Sequence, residues 1–138
     1  MPLVRIDVVE GWTDSELMLL LDALHEAMVK AFDVPVRDRY QVLTRKGANE
    51  LVLEDTGLGF ERSHRRILVQ VFTRPRSTEQ KRKFYALSSS ILSERLRIAT
   101  EDLMITCVTN SDSDWSFAHG RPQFLTGELG IPLDRTSS

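Results

Sequence analysis

Leu3-Val4-Arg5-Ile6-Asp7-Val8-Val9-Glu10-Gly11-Trp12-Thr13-Asp14-Ser15-Glu16 is the stretch that decides the fold. Over residues 3–9, Val4, Ile6 and Val8 alternate with Arg5 and Asp7, which is the two-residue period of a strand. Gly11 breaks that strand. Thr13 and Glu16 then stand at capping-box spacing, where hydroxyl and carboxylate each satisfy a backbone N–H left over by the first helical turn. Behind them Leu17, Leu20, Leu21, Leu24, Met28, Ala31 and Phe32 recur at three- and four-residue intervals. That is one apolar stripe along a helix of about five turns. The helix should end near Asp33, because Pro35 cannot continue it.

Working outward, residues 39–44 read as a strand, and 50–54 as a shorter extended piece closed by the turn Asp55-Thr56-Gly57. The second half repeats the plan. Ile67-Leu68-Val69-Gln70-Val71-Phe72 is a strand, Ser77-Thr78-Glu79-Gln80 a second capping box, and Phe84, Leu87, Ile91 and Leu92 a helix stripe. Residues 103–108 read as a closing strand. A constant shift of 64 residues sets Thr13 against Ser77, Glu16 against Gln80, Phe32 against Leu96, and Asp38 against Asp102. The repeat is one of pattern rather than of identity. Two βαβ units are the simplest account.

The predicted fold class is therefore α/β: a four-stranded mixed sheet from two βαβ units, at about 2–45 and 66–109, with both helices on one face. Leu, Ile, Val and Cys on both strand faces would leave an apolar sheet face uncovered, which predicts an oligomer. One domain is expected over 2–129, ending in an aromatic arm from Asp114 to about Leu129, with 130–138 as a mobile tail.

Eighteen Lys and Arg against twenty Asp and Glu give a formal charge of -2, with 41% hydrophobic and 28% charged residues. That balance argues against a nucleic-acid or membrane-surface binder. Cys107 is the sole cysteine, and the three histidines have no metal-ligand spacing, so neither a disulfide, a metal nor a cofactor is expected. With Asp7 and Glu10 where a signal peptide would need an apolar core, a cytoplasmic location is expected.

Four groups of residues could carry chemistry. Pro2 would expose a secondary amine if Met1 is trimmed, and an α-amino group titrates at about 7.7–8.0, suited to acid, base or nucleophile work near neutrality. If Met1 stays, that nitrogen is an inert tertiary amide. The shift of 64 sets Arg66 against Pro2, so any such site occurs once per chain. Arg74-Pro75-Arg76 either presents two guanidiniums on one side of an extended segment, ahead of a capped helix start that favours anions, or leaves two solvated arginines. Asp38 either pairs with Arg37 or Arg39 or holds a nearby amine protonated. Trp115, Phe117, Phe124 and Leu129 either pack beneath the arm or wall a dry pocket. Asn110-Ser111-Asp112-Ser113-Asp114 imitates a calcium loop, but Trp115 stands where glycine is needed and Arg121 where the closing Glu should be.

Taken together, Pro2, the βαβ pair and five segments resemble the tautomerase superfamily, and within it the malonate semialdehyde decarboxylases. The segments are Asp38-Arg39-Tyr40-Gln41, Leu53-Glu54-Asp55-Thr56-Gly57-Leu58-Gly59, Phe72-Thr73-Arg74-Pro75-Arg76, Asp114-Trp115-Ser116-Phe117 and Gln123-Phe124-Leu125-Thr126-Gly127-Glu128-Leu129. The resemblance implies Pro2 as catalytic amine, Asp38 as its acidic partner, and Arg74 and Arg76 as the carboxylate-binding pair. Tyr40, Trp115, Phe117, Phe124 and Leu129 would contact substrate. It further implies a homotrimer that decarboxylates a small 3-oxo acid without a cofactor. A tautomerase, a hydratase or dehalogenase of unsaturated acids, and a non-enzymatic trimeric interaction protein are the alternatives.

Overall fold

The computed structural model describes residues 2–129. The expected tail at 130–138, and the processing of Met1, lie outside the described residues. Strand β1 (Leu3–Val9) leads into helix α1 (Asp14–Phe32) and strand β2 (Tyr40–Lys46). The second unit is strand β3 (Ile67–Thr73), helix α2 (Thr78–Leu96) and strand β4 (Leu103–Thr109). A four-residue helix α3 (Gln123–Thr126) lies in the arm. The sheet order is β2-β1-β3-β4, with β1 parallel to β2, β3 parallel to β4, and β1 antiparallel to β3 at the centre.

Both capping boxes form. Thr13 Oγ1 accepts from the Glu16 N–H at 3.1 Å while Glu16 accepts from the Thr13 N–H at 2.9 Å, and Ser77 and Gln80 do the same. Both helices also stop in the same way, at left-handed residues Asp33 and Arg97. The repeat then slips: from those caps β2 begins one residue later than β4, so Asp38 lies two residues before its strand and Asp102 only one. Two expected elements differ. β2 continues to Lys46, and the piece expected as extended at 50–54 instead follows a 3₁₀ turn, Ala48–Glu50, without strand pairing.

Val4, Ile6 and Val8 of β1 and Ile67, Val69 and Val71 of β3 lie buried with Leu20, Leu24, Met28 and Phe32 of α1. Phe84 of α2 meets Phe32 at 5.4 Å between ring centroids. Full burial of such side chains contributes about 1.5–3 kcal/mol each before ordering costs. Cys107 aligns with Val71, so it faces the helices, and Tyr85 Oη lies 3.6 Å from its sulfur. The opposite face is mixed rather than uniformly apolar. Register and alternation place Leu3, Val42, Phe72, Met104 and Val108 there beside Arg5, Asp7, Gln70 and Thr106. Among the described residues, no helix is long and apolar enough to cross a membrane.

At the other end of β1, Arg65 lies over the Trp12 ring at 4.2 Å and donates to Glu16. The Arg65 hydrogen bond, ahead of the Thr13 N–H, lowers the Glu16 carboxyl from 4.5 to about 2. A carboxyl with a depressed folded pKa stabilises above its unfolded value and loses that effect as pH falls through the folded one. The Tm advantage of the protein over a Glu16→Gln variant should therefore be constant above roughly pH 5 and close as pH drops toward 2. A pH-independent difference would contradict this.

Candidate functional site

The antiparallel centre of the sheet brings the starts of β1 and β2 beside the ends of β3 and β4. Pro2 is buried immediately before Leu3, whose partners are Tyr40 and Phe72. Its neighbours at this end of the sheet are thus the segments that carry Asp38 and Arg74.

Asp38 sits in the turn between α1 and β2, closed by its own N–H donating to the Pro35 carbonyl at 3.0 Å. The ring of His25, buried in α1, donates from Nε2 to the Val36 carbonyl at 2.6 Å and pins the same turn. Neither neighbouring arginine pairs with Asp38. Arg39 instead bonds Asp22 and Gln41, both at 2.8 Å. Asp38 Oδ2 is buried with no hydrogen-bond partner among the described residues, an acceptor that needs a donor.

Thr73, fully buried at the end of β3, organises the arginines. Its hydroxyl donates to the Arg74 carbonyl at 2.9 Å and accepts from Arg76 Nε at 3.1 Å. Arg76 Nη1 donates to the Phe32 carbonyl at 3.2 Å, and the guanidinium lies 5.0 Å from that ring. A cation there complements the carbonyl end of α1. Burial lowers the Arg76 pKa, the Arg74 charge lowers it further, and the Asp38 charge opposes both. Arg74, Arg76 and Asp38 therefore share one electrostatic neighbourhood. The arginines are not a solvated pair, but each is anchored on its own element. Arg74 Nε donates to Asp112 Oδ1 at 2.5 Å, and its guanidinium lies 4.2 Å from the Phe124 ring centroid.

The arm supplies an aromatic run. Tyr40 stacks on Phe117 at 5.6 Å, Phe117 on Trp115 at 5.5 Å, and Phe124 meets Phe117 edge-on at 5.4 Å. Asn110 ties this run to β3. Its N–H donates to the Thr73 carbonyl at 2.8 Å, and its side-chain oxygen accepts from Trp115 Nε1 at 2.9 Å. Buried Gln123 accepts from the Phe117 N–H at 2.9 Å and donates to the Ala118 carbonyl at 2.6 Å. Asp38, Tyr40, Phe117, Gln123 and Leu129 line a cavity of about 120 Å³. Pro2, Arg74, Arg76, Trp115 and Phe124 are not in its lining. The arginines join this group through Phe124 and through the charge of Asp38.

Asn110, Asp112, Gln123 and His25 build the site without having been singled out for it. The run at 110–114 does carry a signal, since side chains that cap their own backbone mark a turn able to hold a carboxylate in place. At the opposite sheet end the repeat is plugged. Arg66, which the shift sets against Pro2, donates to the carbonyls of Leu51, Ala48 and Ser63. Asp102, set against Asp38, accepts from Ser63 N–H and Oγ, both at 2.6 Å. The loop between β2 and β3 thus satisfies there the groups that stand open at the Pro2 end.

Two family models, both described as tautomerase enzyme, match residues 38–118 and 2–61. Probable tautomerase YrdN of Bacillus subtilis (strain 168) is 45% identical over 129 residues, covering 94% of this chain and 100% of that protein. The chain belongs to the tautomerase family. A solved malonate semialdehyde decarboxylase, described with decarboxylase and hydratase activities, is 49% identical to this family member. Its TM-score is 0.90, with 92% of this chain and 98% of that one covered. A second malonate semialdehyde decarboxylase, inhibited by 3-bromopropiolate, is 37% identical with a TM-score of 0.89, covering 94% of this chain and 99% of that one. A fused 4-OT symmetric trimer, 20% identical with a TM-score of 0.71 and covering 86% of this chain and 94% of that one, shares the fold.

Proposed function

We propose that this tautomerase-family protein is a cofactor-independent carboxy-lyase that converts malonate semialdehyde, or a close 3-oxo acid, to acetaldehyde and carbon dioxide. The observation that carries the reading is the buried Asp38 oxygen, without a partner among the described residues, whose charge acts on the anchored Arg76 next to Arg74, at the end of the sheet where Pro2 precedes β1. The 49% and 37% identities to the two decarboxylases support it.

Losing carbon dioxide leaves the bonding pair on the carbon next to the aldehyde, so the carbonyl must accept it. In one scheme Pro2, freed of Met1 and held as an ammonium by Asp38, donates a hydrogen bond to the aldehyde oxygen and stabilises the enolate. A proton delivered to carbon then gives acetaldehyde. In the other, neutral Pro2 attacks the aldehyde and loses water to form an iminium, the enamine left after decarboxylation takes up a proton, and hydrolysis returns the amine. In both, Arg74 and Arg76 hold the carboxylate so that the breaking bond aligns with the carbonyl π system. Tyr40, Trp115, Phe117, Phe124 and Leu129 limit water, which favours neutral carbon dioxide over the carboxylate. The open mixed sheet face is assigned to self-association as a homotrimer. A cytoplasmic location, with neither membrane nor nucleic acid as partner, belongs to the same reading.

A second reading, keto–enol tautomerisation, is favoured by the name of the Bacillus subtilis relative. It needs Pro2 neutral as a base, so an amine pKa below the ordinary range of about 7.7–8.0 supports it and one above supports the decarboxylase. The test is the intact mass of the purified protein followed by assay with malonate semialdehyde. Loss of Met1 together with acetaldehyde formation is expected. Processed protein that leaves the substrate untouched, yet ketonises a small enol acid, overturns the decarboxylase reading.

A further inference from the structure

We infer that Asp112 sets the charge class of the ligand: paired with Arg74, it leaves the site one net positive charge and so selects a monocarboxylate over a dicarboxylate. This rests on the reading above, in which Arg74 and Arg76 receive a carboxylate.

Three features of the geometry carry it. First, the pair is built in. Arg74 and Asp112 are side chains only 14% and 10% exposed, joined at 2.5 Å. Asp112 is held by a 3₁₀ turn that Ser111 and Asp114 cap against each other, and Asn110 fastens that turn to the end of β3. Second, Asp112 takes only the Nε edge of Arg74, while Phe124 takes a face. The two Nη groups, which make the bidentate fork for a carboxylate, have no hydrogen-bond partner among the described residues. Arg76 is held on two sides, its Nε on Thr73 and its Nη1 on the Phe32 carbonyl, with Nη2 left without a hydrogen-bond partner among the described residues.

Third, in the scheme where Pro2 is an ammonium, the charges balance at one. Asp38 and Asp112 oppose Arg74, Arg76 and a protonated Pro2. Arg39 is engaged by Asp22, and Arg37 is exposed, so neither enters the count. One carboxylate brings the cluster to neutrality. A second would enter a small cavity lined by Asp38, Tyr40, Phe117, Gln123 and Leu129, where among the described residues the one charged group in the lining is the like-charged Asp38, and an unpaired anion in such surroundings is strongly disfavoured.

The test compares inhibition constants for acrylate, a monoanion, and malonate, at a pH where malonate carries both charges. Wild-type protein should bind acrylate in preference to malonate. Asp112→Asn keeps an oxygen that accepts from Arg74 Nε but removes the charge, and should move the acrylate-to-malonate ratio about tenfold toward malonate. Asp112→Glu, which keeps the charge, should hold the wild-type ratio. A purely structural role would weaken both ligands together, so an unchanged ratio in Asp112→Asn overturns the inference. A wild-type preference for malonate overturns it without any variant. Wild-type protein that binds neither acid overturns the carboxylate-site reading as well, whereas acrylate binding with an unmoved ratio overturns only the role of Asp112.

Discussion

Pro2→Ala should lower kcat by about 10²–10⁴-fold, the range a positioned acid–base group contributes. Alanine also follows a trimmed methionine, so the variant still exposes an amine. What it loses is the ring that fixes the direction of that nitrogen, along with its secondary character. A companion chain that retains one extra residue ahead of Pro2 should fall to background, because an amide nitrogen has neither a proton to donate nor a basic lone pair. Initial rates of acetaldehyde formation, with an intact mass for each variant, measure both. Borohydride in the presence of substrate adds mass to wild-type protein if the iminium forms, and none if Pro2 acts as an ammonium. Equal rates in all three proteins would remove Pro2 from the chemistry, and rates at background in all three would leave the non-enzymatic interaction protein as the better account.

The second large effect is expected at Arg76. Arg76→Ala should cost about 10²–10³-fold in kcat/KM, because a charge-assisted, two-pronged contact to the carboxylate is lost while Asp38 keeps its negative charge nearby. Arg76→Lys should recover little. An ammonium cannot bond Thr73 through Nε while also presenting a planar fork, and Lys and Arg are not equivalent at such positions. The fold should survive both changes, since the side chain is only partly buried and its partners Thr73 and Phe32 belong to regular elements. Steady-state kinetics alongside thermal melts separate the two effects. Full activity in Arg76→Ala would show that the carboxylate is held elsewhere.

The architecture was legible because its signals are local. Alternation in residues 3–9, the capping boxes at Thr13 and Ser77, and the stripes from Leu17 to Phe32 and from Phe84 to Leu92 depend only on near neighbours. The shift of 64 even foresaw that the counterpart of Pro2 is unlike it. It could not show how Arg66 and Asp102 are used, since their partners come from the loop between β2 and β3. Asp38 was the ambiguous case. Sequence proximity offers Arg37 and Arg39 as its partners, but Arg39 reaches across to Asp22 on α1. The uncovered sheet face is mixed rather than apolar, because which residues share it follows from strand register.

From the chain alone came two βαβ units, a single candidate amine, and an Arg-Pro-Arg segment ahead of a helix, all properties of residues close in sequence. Only the folded molecule decided that Asp112 holds Arg74, that Thr73 and Phe32 hold Arg76, and that Asp38 keeps a buried oxygen without a partner among the described residues. The Arg74–Asp112 and Arg76–Phe32 contacts join residues 38 and 44 positions apart. The physical reason is that a side chain's charge environment is set by whatever lies within a few ångströms in space, and the antiparallel centre of the sheet chooses those neighbours.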